Sequence, residues 1–151
     1  ASNLTNEKHL PLIYAMAFGM PGIPCVYYGS EWGAKAHKSE GDPARRACFE
    51  APLENELTLW IAQLAEAKKN SKALNYGSFK SIVLTNKQCI FERECDSERV
   101  LVAINADENA YTAHFDARSG QGTDLITGEL HDFGGGSELP PYSAFFWKTE
   151  H

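Results

Sequence analysis

Two opposite charges stand at a defined spacing in the segment GDPARRACFE, residues 41–50. Asp42 and Arg46 are four residues apart, in a stretch that we interpret as a surface loop. A carboxylate and a guanidinium can hold a polar ligand through charge-assisted hydrogen bonds, which are roughly twice as strong as neutral ones. The same two groups can also form an ion pair within the loop, which would contribute little stability. The spacing alone leaves both alternatives open.

Aromatic side chains that could stack on a ligand occur in the preceding segment, YYGSEWG, residues 27–33. Trp32 follows Glu31 in a predicted loop, which makes it a better candidate than Trp60, because Trp60 falls on the apolar stripe of a predicted helix. Glu31 has two interpretations, a structural ion pair or loop hydrogen bond and a direct ligand contact, and acidic residues usually adopt the first. The residues Phe145, Phe146 and Trp147 are typical of a closing strand with a core face.

Metal-binding and nucleophilic chemistry have little support in this sequence. The four cysteines show no C-x-x-C spacing, and the five histidines are scattered singly, so we expect free, buried thiols and no metal or cofactor. Reduced thiols favour a cytoplasmic location, although only weakly.

Composition restricts the classes of partner. A net charge of −6 with no dense basic patch argues against a nucleic-acid surface. No apolar run reaches the roughly 18 residues of a membrane span, so we expect no membrane partner.

The first half of the chain has helical periodicity around one strand-like run. Residues 6–20 predict a helix that carries no charge from residue 10 to residue 20, and a helix that is apolar on every side is normally buried on every side. Residues 23–28 form a continuous apolar run, which is typical of a buried parallel strand. Residues 55–72 predict an amphipathic helix with Asn55 as its cap.

From residue 75 onward the period changes to two, with turns between short segments. The predicted strands cover residues 79–84, 88–94, 100–105, 111–115, 124–126 and 144–148. This pattern predicts an antiparallel β-sandwich. Its predicted core consists of Phe79, Val83, Phe91, Val100, Val102, Ile104, Phe115 and Phe146.

One parallel strand cannot form a sheet, so we interpret residues 1–74 as the end of a larger α/β domain. Residues 75–151 are interpreted as a β-domain that follows it and could fold by itself. The predicted fold class is therefore mixed, a helix–strand–helix remnant followed by an all-β antiparallel domain.

The segment PGIPCVYYGSEWG, residues 21–33, resembles the last barrel strand of the α-amylase superfamily of glycoside hydrolases. The segments ALNYGSF, VLVAIN and DLITGE also resemble the C-terminal β-domain of that family, and they stand in the family's order. The resemblance implies that residues 23–28 are the eighth strand of a (β/α)₈ barrel, whose loops build the active site at the C-terminal face.

The same resemblance implies a retaining α-glucan hydrolase of neopullulanase or cyclomaltodextrinase type. Retaining glycosidases use two carboxylates, and in this family both precede the segments present here. We therefore expect no catalytic residue in this chain and no activity from it alone. GDPARRACFE resembles a family loop in which the Asp and the Arg hold a glucose unit, so the expected substrate-binding residues are Asp42, Arg46 and Trp32.

Two alternatives remain open. A transferase or isomerase acting on α-glucans would share the fold, because the fold does not decide the chemistry. A non-catalytic scaffold, like the transporter heavy chains of the superfamily, would keep the barrel but not the carboxylates.

The apolar first half also implies a partner besides an α-glucan or maltooligosaccharide. Its usual covering layers lie outside this chain, and exposed apolar surface favours association. We expect self-association through residues 10–28.

Overall fold

The computed structural model describes residues 4–36 and 38–149 of the chain. Its four α-helices are α1 (His9–Gly19), α2 (Gly41–Arg45), α3 (Glu56–Asn70) and α4 (Lys72–Tyr76), with short 3₁₀ helices at Ser30–Trp32 and Lys38–Glu40. The eight strands are β1 (Ser78–Leu84), β2 (Gln88–Cys95), β3 (Glu98–Asn105), β4 (Tyr111–Ala113), β5 (Gln121–Asp124), β6 (Leu130–Asp132), β7 (Ser137–Leu139) and β8 (Ser143–Thr149). No helix in the described part of the chain is long and apolar enough to span a membrane.

Helix α1 confirms the first predicted helix, although it begins at His9 rather than at residue 6. Pro11 lies in the first turn, where a missing N–H costs the helix no hydrogen bond. The helix is buried on one side only, which corrects the expectation of burial on every side. Leu12, Ala15 and Phe18 enter the core, whereas Ile13 is 48% exposed.

Residues 23–27 are irregular, so the strand predicted at residues 23–28 is wrong in this structure. A strand needs a neighbour that accepts and donates its backbone hydrogen bonds. All pairings among the described strands are antiparallel, and none of them involves this segment. Ile23 is consequently 96% exposed.

Helix α3 confirms the second predicted helix and its cap. The Asn55 side chain accepts a hydrogen bond from the backbone N–H of Thr58 at 3.0 Å. Ile61 and Leu64 are buried on the face that packs against α1. The short helix α4 was not predicted, and it spans the position after residue 74 at which the sequence pattern divides the chain. That division stays a prediction.

The β-strands form an antiparallel sandwich of unequal layers, which confirms the predicted all-β arrangement. One sheet has the order β1-β2-β3-β8-β5-β6, and β4 pairs with β7 in a second sheet of two strands. All six predicted strands are present within a few residues, although the fifth ends at Asp124 instead of beginning there. Strands β6 and β7 were not predicted, since three residues are too few to establish an alternating pattern.

The core lies on both faces of the larger sheet, because successive residues of a strand point in opposite directions. Phe91, Val102 and Phe146 are neighbours across three strands and pack against the helices. Leu101 and Trp147 pair on the opposite face, beneath β4 and β7.

This arrangement corrects three members of the predicted core. Phe79 is 43% exposed on the edge strand β1. Val83 and Phe115 are half-buried and belong to the cluster beneath β4 and β7 rather than to the one that contains Phe91.

Candidate functional site

The candidate site begins at a tight turn that carries Glu31 and Trp32. Gly29 and Gly33 flank the 3₁₀ helix Ser30–Trp32 with φ angles of 82° and 70°, which glycine adopts without strain. The backbone N–H of Ala34 donates to the Gly29 carbonyl at 3.0 Å and closes the turn. A Cβ atom at Gly29 would lie 2.7 Å from the Phe49 ring, so this position also needs glycine for space.

Trp32 is half-buried and stands between two cavities. Its ring meets Phe49 edge-on, with 4.8 Å between the ring centroids. On one side lies a cavity of about 280 Å³, which also contacts Tyr27, Tyr28 and Phe49. On the other side lies a cavity of about 430 Å³, which is lined by Trp60 among others.

Asp42 and Arg46 lie one helical turn apart, because the segment interpreted as a surface loop contains the short helix α2, with Arg46 as its C-cap. Asp42 is in the first turn of α2, and the Arg46 N–H donates to the Asp42 carbonyl at 3.0 Å. Both residues are exposed. Residues Ala44 and Ala47 of the same segment line the 280 Å³ cavity beside Trp32, whereas Asp42 and Arg46 are not among its described lining residues.

Arg46 is nevertheless electrostatically linked to the aromatic side of that cavity. Burial and the adjacent Tyr27 raise the pKa of the Tyr28 phenol, and the positive charge of Arg46 opposes that rise. The structure therefore places Arg46 near Tyr28 and the α2 segment beside Trp32. It does not bring Asp42, Arg46 and Trp32 to one cavity wall.

Within the described part of the chain, Glu31 lacks a structural partner at one of its two carboxylate oxygens. Its Oε2 atom is buried and has no hydrogen-bond partner among the described residues. The Glu31 carbonyl accepts a hydrogen bond from Thr58 Oγ1 at 3.1 Å. Burial raises the pKa of the nearby Tyr14 phenol, the Ser30 hydroxyl opposes this rise and the Glu31 charge adds to it. The expected ion pair or loop hydrogen bond is thus not formed at Oε2.

Phe49 and Leu53 were missed as cavity residues, although both line the 280 Å³ cavity. Phe49 is part of GDPARRACFE, and its aromatic side chain close after Arg46 was the available signal.

The cysteines differ from expectation in their exposure. Cys25 and Cys48 are exposed, and Cys89 and Cys95 are half-buried. Within residues 4–36 and 38–149, no three His, Cys, Asp or Glu side chains are arranged to hold a metal ion.

No family model matches this sequence. The chain is 32% identical over 138 residues to a cyclomaltodextrin glucanotransferase of Niallia circulans, a match that covers 90% of this chain and 18% of that protein. It is also 25% identical over 151 residues to a cyclomaltodextrinase of Thermoanaerobacter pseudethanolicus, with 98% of this chain and 25% of that protein covered. The homologues of this chain are thus cyclomaltodextrinases, cyclomaltodextrin glucanotransferases and α-amylases.

Solved structures of α-amylases share its fold. The Anoxybacillus α-amylase aligns with a TM-score of 0.84 and 23% identity, over 94% of this chain and 32% of that one. At this identity the likeness concerns the fold alone. The chain therefore spans about a fifth to a third of the α-amylase-superfamily proteins named here.

Proposed function

We propose that this chain is the C-terminal part of a retaining α-glucan hydrolase of neopullulanase or cyclomaltodextrinase type. Residues 1–74 would complete a (β/α)₈ barrel, and residues 75–151 would form the β-domain that follows it. The observation that carries the proposal is the match to a cyclomaltodextrinase over 98% of this chain but only 25% of that protein. The irregular segment at residues 23–27 would become the eighth strand once a neighbouring strand supplies its hydrogen bonds.

The proposed chemistry depends on carboxylates outside this sequence. Retaining glycosidases need a nucleophile and a general acid about 5 Å apart. We propose that the chain alone hydrolyses no starch, pullulan, cyclodextrin or p-nitrophenyl maltoside. Turnover of any of these by homogeneous protein, above a buffer blank, would contradict this part.

The test of the proposal starts with the gene upstream of the codon for Ala1. We expect an open reading frame that encodes the family's Asp nucleophile, Glu acid and Asn-His-Asp segment. Its full product should hydrolyse an α-glucan and release a sugar whose anomeric configuration is retained, as followed by NMR. A reading frame that encodes the barrel without the carboxylates would instead identify a scaffold protein.

A glucanotransferase is the second candidate, because a relative at 32% identity carries that name. Product analysis of the full protein with maltotriose separates the two activities. Hydrolysis gives shorter sugars only, whereas transfer also gives longer or cyclic ones.

Within the parent enzyme, we propose that Asp42, Arg46 and Trp32 contact the substrate. The hydroxyls of a sugar both donate and accept hydrogen bonds, so a carboxylate one turn from a guanidinium can bind two of them. Support comes from the one-turn separation and from the α2 segment lying beside Trp32. Asp42→Asn and Arg46→Met should each raise KM for a maltooligosaccharide more than they lower kcat.

We propose further that the chain self-associates when it is separated from the rest of a barrel. Ile13, Met16 and Met20 are exposed on one face of α1 and its end, and Ile23 follows them. A second copy offers the same apolar surface, which permits a two-fold symmetric contact. A cytoplasmic location for the parent is also proposed, supported only by a cysteine spacing that lacks a dense disulfide framework.

A further inference from the structure

The larger of the two cavities beside Trp32 has two tryptophans in its wall. It measures about 430 Å³ and lies between the start of α1, the Ser30–Trp32 turn and the start of α3. Trp60 Nε1 donates to the Pro11 carbonyl at 2.9 Å, which fixes the orientation of that indole. We call this cavity the two-tryptophan pocket.

The walls and the rim of the pocket differ in chemistry. Its interior is apolar, with Leu10, Pro11 and Leu57 beside the two indoles. Its rim carries three charged side chains, of which Lys35 and Glu7 form an ion pair and Glu56 is the third.

This combination favours one class of occupant. A pyranose ring has C–H faces that pack on aromatic rings and a belt of hydroxyls that can donate to carboxylates and accept from an ammonium. An apolar helix or acyl chain would instead desolvate the rim charges without satisfying them. The volume lies within the roughly 300–1,000 Å³ of small-molecule sites.

We propose that the two-tryptophan pocket binds a glucose unit of an α-glucan, at a site separate from Asp42 and Arg46. The proposal rests on the proposed function, since that function supplies the α-glucan. Trp32 lines both cavities, so a bound glucan could cross its edge from one cavity to the other. The described residues that line the pocket all fall within residues 4–60 of this chain.

The test uses the three tryptophans of the chain as reporters. Protein labelled with ¹⁵N is titrated with maltotriose, and the indole N–H signals are followed by NMR. We expect the Trp32 and Trp60 signals to shift and saturate with a Kd on the order of 1–10 mM, as for a small shallow site. Trp147 is 2% exposed in the β-sandwich, so its signal should not move.

Two variants identify the site. Trp60→Leu should raise the Kd obtained from the Trp32 signal by at least about fivefold, because a stacking face is lost. The double variant Glu7→Ala with Lys35→Ala changes only exposed rim side chains and should weaken binding by about threefold if Trp60→Leu does not fold. As the matched control, Glu66→Ala with Lys69→Ala removes an exposed charge pair of α3 that does not line the pocket, and it should leave the Trp60 titration unchanged.

Each result decides the proposal. If maltotriose shifts only the NMR signals of residues 42–53, the proposed site in the two-tryptophan pocket is overturned and the proposed function stays intact. The absence of any shift at saturating maltotriose would also overturn it, while the activity of the full gene product still tests the proposed function independently.

Discussion

Lys68 and Arg93 share one acceptor, the backbone carbonyl of Leu74. Lys68 Nζ and Arg93 Nη1 each donate to it at 3.0 Å. Lys68 also donates to the Phe18 carbonyl, and Arg93 to the Gly19 carbonyl, at the end of α1. Helix α3 and strand β2 are therefore joined through the carbonyl end of α1, where a helix dipole favours positive charge.

The first prediction concerns Lys68. Replacing it with Met keeps the apolar stem but removes this donor from three carbonyls, of which those of Phe18 and Leu74 are buried. Lys68→Met should lower the free energy of unfolding by about 1–3 kcal/mol in urea titrations. Lys69→Met, at an exposed neighbour in a loose ion pair with Glu66, should change it by less than about 0.5 kcal/mol. Equal effects of the two variants would contradict the joining role of Lys68.

The second prediction concerns the contact between α1 and the sheet. A Cβ atom at Gly19 would lie 2.9 Å from the Phe91 ring and 3.1 Å from Val102 Cγ1. Gly19→Val should therefore destabilise the chain by about 1–3 kcal/mol through overpacking, as measured by thermal unfolding. Gly120→Ala is the control, because a Cβ there meets nothing within 4 Å. An unchanged melting temperature for Gly19→Val would mean that α1 does not pack closely on β2 and β3.

The third prediction concerns the pH dependence of stability. His131 stacks on Trp147 with 4.1 Å between centroids, and its Nε2 lies 2.9 Å from Ser137 Oγ. Burial lowers the pKa of the His131 imidazole, while the nearby charges of Asp132 and Asp124 oppose that shift.

The unfolded chain thus binds a proton at His131 more readily than the folded chain does. The free energy of unfolding should fall as pH drops below about 6.5, the ordinary value for histidine. His131→Phe, which preserves ring packing, should flatten the change between pH 7 and pH 5. Urea titrations at these two pH values measure the free energy of unfolding. If His131→Phe does not alter its change with pH, that change belongs to other titratable groups.

The fourth prediction concerns self-association. Light scattering should show a dimer or larger species, and Ile13→Lys with Ile23→Lys should reduce its apparent mass because both residues are exposed on the proposed surface. Leu130→Lys, at an exposed residue of β6, is the matched control and should leave the mass unchanged. A chain that is monomeric at high concentration before any substitution would refute the proposal.

Local patterns predicted those elements whose stability depends on local contacts. Asn55 and the stripe that includes Leu64 predicted α3, and alternation predicted the pairing strands β1, β2, β3 and β8. The strand prediction at residues 23–28 was wrong for a physical reason. A strand depends on a neighbouring strand, and the pattern of one segment contains no information about what lies beside it.

The candidate site was predictable only in part. The sequence pattern placed Asp42, Arg46 and Trp32 in loops, whereas Asp42 lies in the first turn of α2 and Trp32 ends a 3₁₀ helix. The contact between Gly29 and Phe49 brings together residues twenty positions apart, which no local pattern encodes. The burial of Glu31 Oε2 likewise depends on tertiary packing.

The order of strands in the larger sheet has a consequence for synthesis on the ribosome. Strand β8 (Ser143–Thr149) is translated after the other seven strands, yet it lies between β3 and β5. Until it emerges from the exit tunnel, β5 and β6 have no neighbour that joins them to β1–β3. An apolar edge on β3 remains open meanwhile, and such edges favour pairing with other chains. A nascent chain arrested before residue 143 should therefore bind chaperones for longer than the completed chain does.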